Sequence, residues 1–116
     1  NPVACAAANA TLALVERELM SNAAVVGAHI LEALAAIAPT LPNVHAVRGR
    51  GLMIGIELTD HSTAIAVEQA CFERGLLVLT CGERAIRMAP PLIVTAAQAD
   101  TAVRIFADAC AAVAAS

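Results

Sequence analysis

Hydrophobic positions repeat along this chain with two different periods, and the changes of period divide it into elements. From Val3 to Val15 nearly every position is apolar, interrupted only by Asn9 and Thr11. Asn1 as N-cap and Pro2 at the first helical position predict that a helix starts here. A helix apolar on every face is normally enclosed on every side, and a chain of 116 residues has little to enclose it with. This first helix is therefore expected to lie against something outside the chain. Glu16, Arg17 and Glu18 cluster next, and Ser21 and Asn22 offer a kink or a fresh cap. A second helix then runs to about Ala38, with Ala23, Val26, Ile30, Leu34 and Ile37 recurring at helical spacing. Pro39 and Pro42 end it.

After Asn43 the period drops to two. Val44 to Arg48 reads as a short strand, Gly49-Arg50-Gly51 as a turn, and Leu52 to Leu58 as a second strand. In that strand Leu52, Ile54, Ile56 and Leu58 share one face and Met53, Gly55 and Glu57 the other. Gly55 would leave room for a close neighbour. Capping residues from Asp60 to Thr63 open a third helix that continues to Arg74 and stops at Gly75. Leu76 to Thr80 reads as a third strand, Cys81 to Arg84 as a turn, and Ala85 to Met88 as a fourth strand. Thr95-Ala96-Ala97-Gln98 is a capping box, and the helix it starts carries Ala99, Val103, Phe106, Cys110 and Val113 on one side. This order predicts a single α+β domain over residues 1–116, with helices covering one face of a small, mainly antiparallel sheet.

Composition sharpens the picture. The mean hydropathy is +0.75, and the apolar excess is alanine, 29 residues against two aromatics. That predicts helices packed through short side chains, with no aromatic platform for stacking bases. A formal charge of -3 with seven arginines gives no basic footprint for nucleic acid or an anionic membrane. The most apolar long window, Ala23 to Ala38, is broken by His29 and Glu32 and falls short of the roughly twenty residues a bilayer requires. No charged leader precedes an apolar core, and a start at Asn1 reads as a processed product or an excised fragment. Cys5, Cys71, Cys81 and Cys110 form no paired spacing, so they are expected to be reduced, small hydrophobes in a cytosolic protein.

The candidate chemistry centres on Glu83 to Leu92, E-R-A-I-R-M-A-P-P-L. Arg87 is the one charge inside a strand-like run that ends in two prolines. Prolines fix their own φ and push the preceding residue toward extended backbone, which makes a stiff mount. A guanidinium stays protonated and can grip a carboxylate through two parallel hydrogen bonds. Read from the residues alone, the commoner outcome is that Arg87 pairs with Glu57 or Glu83 across the sheet. Arg48-Gly49-Arg50-Gly51 lacks the G-x-G-x-x-G spacing and precedes a strand instead of following one. It reads as a tight turn with solvated or paired arginines. His29, His45 and His61 are scattered, with no metal-ligand spacing, and Ser62 and Thr63 are caps with no nucleophile elbow around them. Lysine is absent altogether, so nothing here can form a Schiff base.

Four blocks carry a family resemblance: N-P-V-A-C-A-A-A at Asn1 to Ala8, V-R-G-R-G-L-M-I-G-I-E-L at Val47 to Leu58, E-R-G-L-L-V-L-T-C-G at Glu73 to Gly82, and I-R-M-A-P-P-L at Ile86 to Leu92. In matching order they resemble the C-terminal part of class III aminotransferases, the pyridoxal-phosphate enzymes that include 4-aminobutyrate, ornithine and acetylornithine aminotransferases. The L-T-C-G block looks most like the 4-aminobutyrate branch or its broad-specificity relatives. The resemblance implies the small C-terminal domain of a fold type I enzyme, usually a homodimer, with residues 1–18 as the helix leading from the large cofactor-binding domain. It implies a reaction that moves an amino group from an ω-amino acid such as 4-aminobutyrate, by way of pyridoxal 5'-phosphate, to a 2-oxo acid. It also implies that Arg87, the arginine of the I-R-x-x-P-P-L block, binds the substrate carboxylate. Arg48 and Arg50 fall in a structural element and take no catalytic role. The Schiff-base lysine, the aspartate at the pyridine nitrogen and the phosphate-binding residues have no counterpart here. No catalytic, cofactor-binding or metal-binding residue is therefore expected, and the chain alone should be inactive. The competing expectation is a free-standing ligand-binding or dimerisation module of the same fold, which would have to bury its first helix by self-association.

Overall fold

The computed structural model describes residues 1–115. Asn1 caps α1 (Pro2–Leu14), its side-chain oxygen accepting from the backbone N–H groups of Val3 and Ala4. No residue of α1 is buried, so the apolar surface that the sequence pattern marked for enclosure stands free of the rest of the described chain. The helix does not break at Ser21 or Asn22. It passes through one π-helical turn, Val15–Leu19, directly into α2 (Met20–Ile37), and a 3-10 turn closes it at Thr40. A π turn absorbs one extra residue without ending a helix, and that rotates the apolar stripe of α2 relative to α1. Asn22, read from sequence as a cap, instead donates to the carbonyls of Leu92 (2.7 Å) and Val94 (3.1 Å).

The continuous helix Pro2–Thr40 is long and apolar enough to cross a bilayer by length and composition, which the shorter window considered from sequence was not. Its second half is a core helix: Val26, Gly27, Ile30 and Leu34 are buried against the sheet and α4.

The hairpin differs in register from the sequence reading. β1 is Val44–Arg50 and β2 is Met53–Leu58, joined by the two-residue turn Gly51-Leu52. The strand therefore runs two residues past Arg48, and Gly49-Arg50 is ladder, not turn. Gly51 has φ +54, the left-handed geometry that a tight two-residue hairpin turn demands at its first position. Asp60 caps α3 (His61–Glu73), and Arg74 and Gly75 end it: the N–H of Gly75 returns to Phe72 and that of Leu76 to Cys71, with Gly75 at φ +85. This is a Schellman closure. Leu76 is engaged in it, so β3 is shorter and later than the sequence pattern suggested, Leu79–Cys81. β4 is Ala85–Met88, and Thr95 starts α4 (Ala96–Ala114) through the expected capping box with Gln98.

The sheet order is β1-β2-β4-β3 and every pairing is antiparallel. β2 and β3 thus run parallel with β4 inserted between them, and α3 makes the crossover. Alternation along the strands sends Ile54, Ile56, Leu58, Ile86 and Met88 to the helix side, where they meet Val26, Leu34, Val67, Cys71, Phe106 and Cys110 in one cluster. This is the α+β arrangement of helices on one face. Burial pushes the Cys71 thiol up to about 11 and the Cys110 thiol to about 12, and all four cysteines are unpaired.

Two predictions follow from local geometry. Gly27 of α2 packs against the Gly51 turn so closely that a methyl group would overlap the Gly51 carbonyl. Helix propensity alone favours alanine there by about 1 kcal/mol, whereas the overlap costs about 2–3 kcal/mol. Gly27→Ala should therefore lower the midpoint of denaturant unfolding, and a rise would mean that the turn yields. The second concerns Asp60, whose carboxyl is lowered from 3.8 to about 2, first by the Ser62 hydroxyl and then by the Thr63 N–H. Because the folded value is the lower one, the cap is fully present above the unfolded pKa of 3.8 and is lost as pH falls through about 2. Following the Asp60 carboxyl carbon by NMR should show that midpoint, and Ser62→Ala should move it toward 3.8; no movement would assign the shift to another cause.

Candidate substrate-binding site

The side of the sheet opposite the helices is bare, and its polar residues come from alternate positions of the same strands. One row across it reads Arg48 (β1), Gly55 (β2), Arg87 (β4), Leu79 (β3), each paired with the next in the ladder. The neighbouring row reads Ala46, Glu57, Ala85, Cys81. With Arg50 at the hairpin end, the strands present three arginines on this face against one carboxylate, Glu57.

That carboxylate is fully engaged. One oxygen accepts from Arg48 Nη1 at 3.1 Å and the other from Arg84 Nη2. The Arg84 bond first, and then the Arg48 bond, hold the Glu57 pKa below the ordinary carboxylate value, so it stays ionised near neutral pH. Glu83, the other proposed partner for Arg87, lines neither groove at Arg87; its backbone carbonyl bonds His61 Nδ1 at 3.0 Å. Arg87 is exposed, and its side chain makes no hydrogen bond or ion pair among the described residues. The commoner expectation, an Arg87–Glu57 or Arg87–Glu83 pair, is thus overturned. The sequence missed it because a turn at Gly49-Arg50-Gly51 would set Arg48 opposite Leu52, far from Glu57. The actual turn, two residues later, sets Arg48 opposite Gly55 and diagonal to Glu57.

The mount of Arg87 is rigid on both sides. β4 is hydrogen-bonded to β2 and to β3, and its flanking residues Ile86 and Met88 are buried. Beyond Met88 the chain leaves the sheet through Pro90 and Pro91, the Pro91 carbonyl accepts from Val94 N–H at 2.9 Å, and Asn22 ties the following carbonyls to α2. Two grooves meet at the Arg87 side chain. One, about 570 Å³, is lined by Phe72, Leu77, Leu79 and Glu68; one oxygen of the Glu68 carboxylate accepts from the Thr80 N–H at 2.8 Å. The other, about 500 Å³, lies over Gly55 and is lined by Arg48, Arg50, Met53 and Cys81. A free guanidinium beside two open grooves can accept a carboxylate in bidentate fashion.

The histidines stay apart. His29 bonds Asp100 at 2.6 Å on the far side of α2, His61 sits at the start of α3, and His45 lies exposed on β1. Among the described residues no three His, Cys, Asp or Glu side chains converge as metal ligands. Ser62 and Thr63 act as part of the α3 cap.

A small antiparallel sheet with helices on one side is also what this chain shares with its structural neighbours, which are aminotransferases of fold type I. The family model for class III aminotransferases matches residues 1–110, and the chain belongs to that family, whose members depend in general on pyridoxal phosphate. It is 47% identical over 105 residues to acetylornithine aminotransferase 1 of Bordetella bronchiseptica, an alignment covering 90% of this chain and 26% of that enzyme. It is 40% identical over 106 residues to the acetylornithine aminotransferase of Archaeoglobus fulgidus, again over 90% and 26%. Among solved structures, acetylornithine aminotransferase from Elizabethkingia anophelis superposes with a TM-score of 0.91 at 33% identity, covering 97% of this chain and 30% of that one. The lysine aminotransferase of M. tuberculosis gives 0.83 at 30% identity, over 89% and 24%. The chain spans about a quarter of the length of the curated relatives it matches. These curated relatives are named for acetylornithine, and nothing in them supports the narrower 4-aminobutyrate expectation. The residues present do not fit the cofactor's point of attachment, since the chain has no lysine.

Proposed function

We propose that this chain is the substrate-clamping part of a pyridoxal-phosphate-dependent aminotransferase, in which Arg87 holds the carboxylate of both the amino donor and the 2-oxo acid. The observation that carries this reading is the unpaired guanidinium on the open sheet face, on a strand fixed at both edges, within a class III aminotransferase sequence. The cofactor supplies the amino-group chemistry when bound to the rest of the enzyme. Arg87 contributes position: gripping one carboxylate by two parallel bonds fixes the long axis of the substrate and so the place of the carbon that reacts.

The relatives' names support N-acetylornithine as the amino donor in preference to 4-aminobutyrate; both carry a terminal amine and, at the far end, a carboxylate for Arg87. The exposed α1 supports a large domain of the same polypeptide as the neighbour that covers it, whereas a free-standing module would have to cover that helix by self-association. By itself the chain is inactive, for want of a lysine. A homodimer in the cytosol completes the reading, the latter supported by buried, unpaired thiols at Cys71 and Cys110.

In the full-length enzyme, Arg87→Ala removes two charge-assisted hydrogen bonds, about 3 kcal/mol, and should raise KM for 2-oxoglutarate by roughly two orders of magnitude. The visible absorbance of the bound cofactor should remain at the wild-type level. Loss of cofactor with unchanged KM would overturn the role given to Arg87. With the wild-type enzyme, kcat/KM should be higher for N-acetylornithine than for 4-aminobutyrate, and the reverse order would return the donor to the 4-aminobutyrate branch.

A further inference from the structure

Gly55 occupies the centre of the site for no reason that the domain itself supplies. It lies in the middle of β2, an interior strand, where glycine weakens a sheet through lost side-chain contacts and higher backbone entropy. Its φ is not in the left-handed region, unlike that of Gly51, Gly75 or Gly82. A Cβ built on it would meet only the Arg48 carbonyl oxygen, at 4.0 Å. This contrasts with Gly27 and Gly49, where a methyl group would run into backbone. Neither conformation nor packing within the chain calls for glycine at this position.

Its neighbours explain it. Gly55 is paired with Arg48 on one side and Arg87 on the other, and it forms part of the groove of about 500 Å³ between them. The missing side chain makes a slot one residue wide, floored by β2 backbone and walled by two guanidiniums. One wall, Arg48, is held by Glu57; the other, Arg87, has its donors free. A glycine within a strand marks a place where a ligand or another backbone comes close, and here the free donors point to an anionic ligand.

Resting on the reading of Arg87 given above, we propose that Gly55 is a specificity-determining residue: its bare backbone is the floor on which the substrate carboxylate and the carbon next to it lie while Arg87 grips them. A side chain at this position would lift the substrate off the sheet, by an amount that grows with its size, and leave the domain's own fold undisturbed.

The test is a series, Gly55→Ala, Gly55→Val and Gly55→Leu, in the full-length holoenzyme, with 2-oxoglutarate as the probe. The expected result is a KM that rises with side-chain volume, by about tenfold or more at valine, while thermal midpoint and cofactor absorbance stay at or above the wild-type level. Valine, a good strand former, should even raise the midpoint. A KM within about twofold of wild type across the whole series overturns the proposal. A thermal midpoint and cofactor content that fall together with the rise in KM also overturn it, because the slot then receives another segment of the protein. Arg87→Ala measured alongside separates the two ideas: if it raises KM and Gly55→Leu does not, only the slot is wrong, whereas an unchanged KM in Arg87→Ala removes the reading on which the slot depends.

Discussion

Glu57 has two carboxylate oxygens, and each accepts a bond from a different arginine, Arg48 and Arg84. All three residues are at least partly exposed, and exposed ion pairs are screened by solvent, so this arrangement does little to hold the domain together. Its effect is one of allocation. A carboxylate that is already shared between two guanidiniums has little left to offer a third, and the third is Arg87. Among the described residues the open face therefore keeps two arginines with free donors, Arg50 at the hairpin end and Arg87 at the centre of the sheet, and a ligand can reach Arg87 from two grooves.

The central cation is useful only if it is held still. Stability comes from the other side of the sheet, where Ile54, Ile56, Leu58, Ile86 and Phe106 are fully buried and each contributes about 1.5–3 kcal/mol of apolar burial. The two residues that flank Arg87 on β4, Ile86 and Met88, belong to that core, so the strand that presents the guanidinium is anchored on both sides of it. Pre-ordering of this kind lowers the entropy lost when a ligand binds. α2 adds to it through Asn22, which fastens the segment after the two prolines, and α1 carries its apolar surface away from the core.

Much of this was legible in the sequence wherever a residue's role is local. Asn1-Pro2, Asp60, Gly75 and the Thr95–Gln98 box set helix ends through their own hydrogen bonds, and they fell where the pattern placed them. The two-residue period of β2 sorted Ile54, Ile56 and Leu58 from Gly55 and Glu57 correctly. What failed depended on non-local choices. Gly49 and Gly51 look alike as turn residues, and only the contact of α2 Gly27 with the Gly51 backbone and the resulting register decide between them. Leu76 reads as a strand residue but is drawn into the closure of α3. The π turn at Val15–Leu19 has no residue signature of its own. The site inherited the register error: the proline mount drew attention to Arg87, but its freedom from Glu57 could be seen only once the ladder was known.

The most direct measurement is a crystal structure of the full-length enzyme with 2-oxoglutarate bound. The account predicts one ligand carboxylate with both oxygens about 2.7–2.9 Å from Arg87 guanidinium nitrogens, lying over Gly55, while Glu57 remains on Arg48 and Arg84. An Arg87 turned onto Glu57, with the ligand carboxylate held by other residues, would contradict it.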